Sequence, residues 1–247
     1  MNGAVTGAAY VEVMNRDPAD REYRRAFQSL ALTLVRSRGR VFDFGSGPGI
    51  DAKHYASAGL KVDAYDIDAA MREYFANHCA AEIAAGAVQL KTSTYTEFLH
   101  SPESLDGAAL DLIVANFAPL NLVADLPPLF EKFAAMLNPD GALLVSVLNP
   151  FFQALVRSRR WWVHLPRLIW QGNYTTRLHG ITPVTRWLPQ SLARQALPFF
   201  DLTAIYAPQI AAAGEPPRRV RGFAPRDWPC VAASQFLFLQ FGQRIGT

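Results

Sequence analysis

Gly45-Ser46-Gly47-Pro48-Gly49 sets three glycines one residue apart, directly after the apolar run Val41-Phe42-Asp43-Phe44. Side chains are missing from three of these five positions, so a ligand can approach the backbone closely. Two acids bracket the loop: Asp43 two residues before it, and Asp66 at the end of the next apolar run. A dinucleotide loop spaces its glycines G-x-G-x-x-G and turns backbone N–H groups toward a pyrophosphate, which Asp43 would repel. An ammonium group it would attract. A unit pair about 5 Å apart at an effective dielectric of about 20 is worth roughly 3 kcal/mol gross. The chemistry favours a cationic ligand and disfavours an NAD-dependent oxidoreductase. Asp66 is placed to accept hydrogen bonds from two ribose hydroxyls. Met71, one turn into the following helix, is placed to pack on an adenine face. The same residues also have plainer readings: a tight turn at the glycines, a helix cap at Asp66, core packing at Met71.

Such a loop needs a strand before it and a helix after it. Residues 40–44 read as that strand and 51–58 as that helix, with Gly59 as its terminator. Upstream, Phe27, Leu30, Ala31 and Leu34 form an i, i+3, i+4, i+7 stripe that predicts a helix over 23–35. Downstream, strands are expected at 61–67, 88–90, 110–115 and 142–148, and helices at 69–81 and 127–137, with Asn138-Pro139-Asp140-Gly141 as a turn. This alternation, with mostly apolar strands, is the pattern of a parallel sheet covered on both faces. After Pro150 the rhythm breaks. Residues 151–199 are rich in Arg and Trp and are expected to form helices and loops. Two closing strands are expected at 200–207 and 235–241, with a Pro- and Arg-rich loop between them.

Val41-Phe42-Asp43-Phe44-Gly45-Ser46-Gly47-Pro48-Gly49 resembles motif I of the class I S-adenosylmethionine-dependent methyltransferases. Ala64-Tyr65-Asp66-Ile67-Asp68-Ala69-Ala70-Met71 resembles their acid-bearing second motif, and Asp111-Leu112-Ile113-Val114-Ala115-Asn116-Phe117 their fourth strand and its loop. Leu137-Asn138-Pro139-Asp140-Gly141 is similar to the turn before the fifth strand, so the likeness spans roughly residues 10–149. The resemblance implies an α/β, doubly wound, mostly parallel seven-stranded sheet with helices on both faces, an antiparallel closing strand and a helical lid insertion after the fifth strand. It implies one methyltransferase domain over 1–247: a cofactor-binding core at 1–149, a substrate lid at 150–199 and closing strands at 200–247. It implies S-adenosyl-L-methionine as cofactor and S-adenosyl-L-homocysteine as product. Asp43 is then set toward the methionine amine, directly or through water. Gly45, Ser46 and Gly47 line the backbone cradle, Asp66 and Ile67 flank the ribose and adenine, and Asn116 and Phe117 face the methionine end. Members often carry Cys where Ser46 stands, and an Asp where Thr94 stands. Adenine is left to a hydroxyl, a backbone group or Tyr95.

Methyl transfer from a sulfonium is an in-line displacement, so the protein must chiefly align and desolvate the nucleophile. A carboxylate or phenolate arrives ionised, whereas an alcohol needs a base. The Asn-Pro-Pro-Tyr sequence typical of nucleic-acid amino methylation is replaced here by Asn116-Phe117-Ala118-Pro119. No cluster with metal-ligand spacing marks a catechol-type site. O-methylation of a small aromatic, lipid-like or acidic molecule, without metal, is the expected reaction. Acceptor recognition is expected in 150–199 and in the N-terminal segment 10–25; His164, His179 and Tyr174 are the acid–base candidates, each also readable as a structural residue. The rival reading is a non-catalytic partner subunit or membrane-associated scaffold on the same fold.

The formal net charge of +3 hides an asymmetry. Residues 1–149 carry 12 Lys and Arg against 18 acids, whereas 150–247 carry 12 Arg, no Lys and 3 acids. Such a split suggests that the second part meets anions. Its centre, Arg157-Ser158-Arg159-Arg160-Trp161-Trp162-Val163-His164-Leu165-Pro166-Arg167-Leu168-Ile169-Trp170, suits an anionic membrane surface, an acidic carrier protein, a lid over a charged apolar substrate, or a packed lid with solvated arginines. Nucleic acid is disfavoured because no reading module accompanies the arginines. Residues 1–13 lack the basic start and apolar core of a signal peptide, and two cysteines, Cys79 and Cys230, give no disulfide framework. A cytoplasmic protein, peripheral to a membrane at most, is expected.

Overall fold

A computed structural model of the chain describes residues 17–101, 109–178, 182–208, 217–221 and 224–244. Its first half alternates strand and helix as expected. α1 (Pro18–Leu34) precedes β1 (Arg40–Phe44), α2 (Ile50–Ser57) and β2 (Lys61–Tyr65). α3 (Ala69–His78) and α4 (Ala80–Ala84) lead to β3 (Val88–Lys91), α5 (Tyr95–His100) and β4 (Leu110–Ala115). A 3-10 turn (Pro119–Leu122), α6 (Pro127–Met136) and β5 (Leu137–Leu148) complete this part. Beyond it lie α7 (Gln153–Val156), α8 (Arg159–Gln171), β6 (Asn173–Leu178), β7 (Thr182–Trp187), α9 (Pro189–Ala196) and β8 (Phe200–Ala207). β9 (Arg218–Val220), α10 (Trp228–Ala233) and β10 (Phe236–Gln243) close the chain.

The main sheet runs β3-β2-β1-β4-β5-β10-β8-β9. β1 pairs in parallel with β2 and β4, and β4 with β5, while β10 is antiparallel to both β5 and β8. This is the α/β sheet with an antiparallel closing strand that the sequence predicts. The short β9, hidden in the expected loop, adds an eighth strand at the edge. Side chains alternate between two cores. Phe42, Phe44, Ile113, Val145 and Leu239 pack with α6 and α9 on one face. Val41, Leu112, Val114, Leu144 and Phe238 pack with α1, α2 and α3 on the other. A sheet buried on both faces must be apolar at nearly every position, so Asp43, in line with Val41, needs its own explanation.

Three expectations change. The helix expected over 69–81 breaks at Cys79, whose φ of −103° and ψ of 20° leave the helical range. Phe75 and Cys79 press against Gly49 there, at distances of 2.8 Å from where a Cβ would stand. The turn at Asn138–Gly141 is absorbed into β5 as an irregularity: Leu110 faces Leu137, but Leu112 faces Ala142. The insertion after β5 is not all helix. β6 and β7 form a separate antiparallel hairpin, pinned when Asn121 Nδ2 donates to the Thr185 carbonyl at 2.6 Å and Asn121 Oδ1 accepts from Leu148 N.

Candidate active site

The glycine loop leaves the carboxyl end of β1, where open parallel sheets place their ligands. Gly45 N and Ser46 N donate to the Tyr65 carbonyl at 2.8 and 3.0 Å, tying the loop to the end of β2. Gly45, Gly47 and Gly49 have φ of +72°, +52° and +85°, the left-handed region that side chains disfavour. A Cβ on Gly45 would stand 2.6 Å from Pro119, whereas nothing lies within 4 Å of one on Gly47. Gly45 is thus a packing glycine and Gly47 an open one.

Gly47 N donates to Asp66 Oδ2 at 2.7 Å, and Asp68 N to Oδ1 at 2.8 Å. One lone pair on each oxygen remains for a ligand. Burial raises the Asp66 carboxyl above its usual range, against the lowering effect of these two N–H groups. A cavity of about 570 Å³ opens here, bordered by Gly45, Gly47, Asp66, Ile67 and Met71. Tyr95, Asn116 and Phe117 also border it, as do Tyr65 and the 3-10 turn residue Leu122. Ile67 is 65% exposed, an apolar side chain left bare at the cavity edge. The Tyr65 and Tyr95 hydroxyls are buried without a hydrogen-bond partner among the described residues, and burial pushes Tyr65 up to about 12.

Three of the expected cofactor residues do not border this cavity: Asp43, Ser46 and Thr94. Thr94 caps α5, its hydroxyl accepting from Glu97 N while Thr94 N donates to Glu97 Oε2. A capping box occupies both ends of that residue, leaving Tyr95 as the side chain that faces the cavity. Ser46 is buried, and among the described residues its hydroxyl has no hydrogen-bond partner. Asp43 is 1% exposed, and among the described residues its Oδ2 has no partner. Its carboxyl is held well above the usual range by burial and then by Asp51, against the pull of Arg24. Burial makes the Asp43 carboxyl costly to ionise, and a cation brought near it would favour its charged form.

Asp51 and Gln28 were not legible as site residues, whereas Arg24 lies in the N-terminal segment, 10–25, where acceptor recognition was expected. Arg24 Nη1 donates to Asp51 Oδ2 at 2.5 Å, Gln28 Nε2 to Oδ1 at 2.7 Å, and Asn116 Nδ2 to Oδ2 at 3.1 Å. The Arg24 guanidinium also lies 4.5 Å from the centre of the Phe117 ring. Phe117 and Ala118 both adopt positive φ, +58° and +64°, strain that suits a functional loop. The i, i+4 spacing of Arg24 and Gln28 on α1 is a further signal the sequence held for this cluster.

His164 and Tyr174 come together elsewhere. Their rings stack with centres 4.9 Å apart and planes 8° apart. Both border a second cavity of about 740 Å³ between α8 and the hairpin, which shares no bordering residue with the first. Arg160, Arg177 and Arg186 also border it. Burial raises the Tyr174 hydroxyl, opposed by Arg186, and lowers the Arg186 guanidinium. His179 lies outside the described residues. Among the described residues, no group of His, Cys, Asp and Glu is arranged to hold a metal ion.

This fold recurs widely. A methyltransferase from Mesorhizobium loti described as S-adenosylmethionine dependent superposes with a TM-score of 0.58 at 17% identity, covering 89% of this chain and 98% of that one. The CcbJ methyltransferase from Streptomyces caelestis gives 0.61 at 17% identity, with 92% and 91% covered. The 1,6-didemethyltoxoflavin-N1-methyltransferase of Burkholderia thailandensis, with 1,6-didemethyltoxoflavin and S-adenosylhomocysteine bound, gives 0.60 at 15%, with 97% and 87% covered. No curated sequence matches the chain. The methyltransferase-domain family profile matches residues 15–179. With two thirds of its length inside that profile and the matching fold throughout, the chain belongs to the methyltransferase-domain family and is an enzyme.

Proposed function

We propose that the chain transfers a methyl group from S-adenosyl-L-methionine to a small organic acceptor, by O-methylation and without a metal. The observation that carries this reading is the pairing of Asp66, with a lone pair free on each oxygen, and the open Gly47 at the mouth of one 570 Å³ cavity. The residues fit the cofactor: an acid for the ribose diol, a bare Ile67 and Met71 for an adenine face, and the unpaired Tyr95 hydroxyl for its polar edge. Gly45, Ser46 and Gly47 form the cradle for the methionine end, with Asn116 and Phe117 opposite. Asp43, behind the loop and with no partner for its Oδ2 among the described residues, would be drawn to its charged form by the ammonium. When bound, the cofactor supplies an electrophilic methyl group on a sulfonium.

The acceptor we infer is an anion. The second cavity presents three arginines, and no Asp or Glu stands between Asp140 and Asp201 to neutralise them. An ionised oxygen needs no general base; the reacting atom must still reach the methyl group in the first cavity, so His164 and Tyr174 are proposed to meet only the acceptor's acidic end and not the atom that is methylated. The 1,6-didemethyltoxoflavin bound to the Burkholderia enzyme is likewise a small molecule. The enzyme is proposed to work in the cytoplasm, with segment 157–170 meeting an acidic carrier or a membrane surface. Incubating the protein with methyl-radiolabelled cofactor and cell extract, then partitioning, tests the acceptor class. Counts in the organic phase are expected; counts only in protein or nucleic acid would overturn it.

A further inference from the structure

α8 has two apolar sides, and the fold uses one. Trp161 and Leu168 are buried against Phe151, Leu155 and Tyr174, and Trp161 Nε1 donates to the Pro150 carbonyl at 2.6 Å. Successive helical residues turn by about 100°, which gathers Trp162, Val163, Ile169 and Trp170 into one outward stripe. These four are 58%, 76%, 70% and 89% exposed. Soluble surfaces scatter large apolar residues singly; a contiguous stripe rimmed by charge marks an interaction site. Arg167 borders the stripe on one side, and exposed Arg157 and Arg159 stand at the helix start. No acid lies in α8, nor anywhere from 141 to 200.

We propose that this stripe docks on an anionic phospholipid surface, with α8 lying in the plane of the headgroups. Indole rings sit at headgroup depth, long aliphatic chains enter the acyl boundary, and flanking arginines reach lipid phosphates. A second copy of the chain is a poor occupant, because two-fold pairing of this face would set arginine against arginine. Among the described residues no helix is long and apolar enough to cross a membrane, so this attachment is peripheral. It is independent of what the enzyme methylates.

Flotation of the full chain with vesicles tests it. The protein is expected to float with equal parts phosphatidylcholine and phosphatidylglycerol, to stay behind with phosphatidylcholine alone, and to be released by salt. The double variant Ile169→Ser/Trp170→Ser, at exposed positions and with an unchanged thermal midpoint, should lose at least about tenfold in partitioning. Arg159→Gln/Arg167→Gln should lose about fivefold for each arginine removed. No flotation, equal flotation with both vesicles, or variants that float like the parent would overturn the proposal. So would gel filtration showing a dimer that Ile169→Ser/Trp170→Ser dissolves.

Discussion

A methyl group added at Gly45 and one added at Gly47 would meet different surroundings two residues apart. At Gly45 the new Cβ meets Pro119 at 2.6 Å with φ at +72°. Left-handed strain and overpacking together make Gly45→Ala cost about 2–4 kcal/mol, read as a fall in urea midpoint. At Gly47 only the backbone strain applies, about 1 kcal/mol, but the methyl takes up open space at a residue that borders the cavity. Gly47→Ala should therefore leave the protein folded while weakening cofactor binding in a calorimetric titration. Much of this scale was legible: the glycine spacing, Asp43 and Asp66 stood out because type and spacing alone define them. Tyr95 was named beside Thr94, whereas the Tyr65 hydroxyl and Asp51 did not stand out, since their roles arise from contacts between segments far apart in sequence.

At the scale of elements, the Asn116 side of the cavity is braced by α1 and α2 together. Arg24 and Gln28 on α1 reach Asp51 in the first turn of α2, and Asn116 after β4 joins them. The Arg24 and Asp51 side chains are only 14% and 7% exposed. Breaking a buried pair leaves a charge uncompensated. Asp51→Asn is expected to cost about 3 kcal/mol, seen as a lower urea midpoint with an unchanged slope. Strands 40–44 and 110–115 could be read to the residue because apolar runs between turn residues have one solution. The β6–β7 hairpin could not. Asn173–Leu178 and Thr182–Trp187 are mixed in polarity, carry Pro183, and owe their pairing to docking on Asn121.

Across the whole molecule, one sheet with two cores holds both cavities at distinct places. The glycine-loop cavity opens beside β1, β2 and β4, and the arginine-lined cavity beside the end of β5 and the hairpin. The charge asymmetry of the sequence foreshadowed this division, since acids serve the first region and arginines the second. The sequence could not reveal that His164 and Tyr174 stack away from the glycine loop, because that depends on where α8 docks. Asp66 and the glycine loop are proposed to hold S-adenosyl-L-methionine. Calorimetric titration of the wild type and of Asp66→Ala, matched for thermal midpoint, tests it most directly. Loss of hydrogen bonds to a charged acceptor is worth about 2 kcal/mol, so the variant should bind roughly thirtyfold more weakly. A wild type that does not bind, or a variant that binds equally well, would contradict the account.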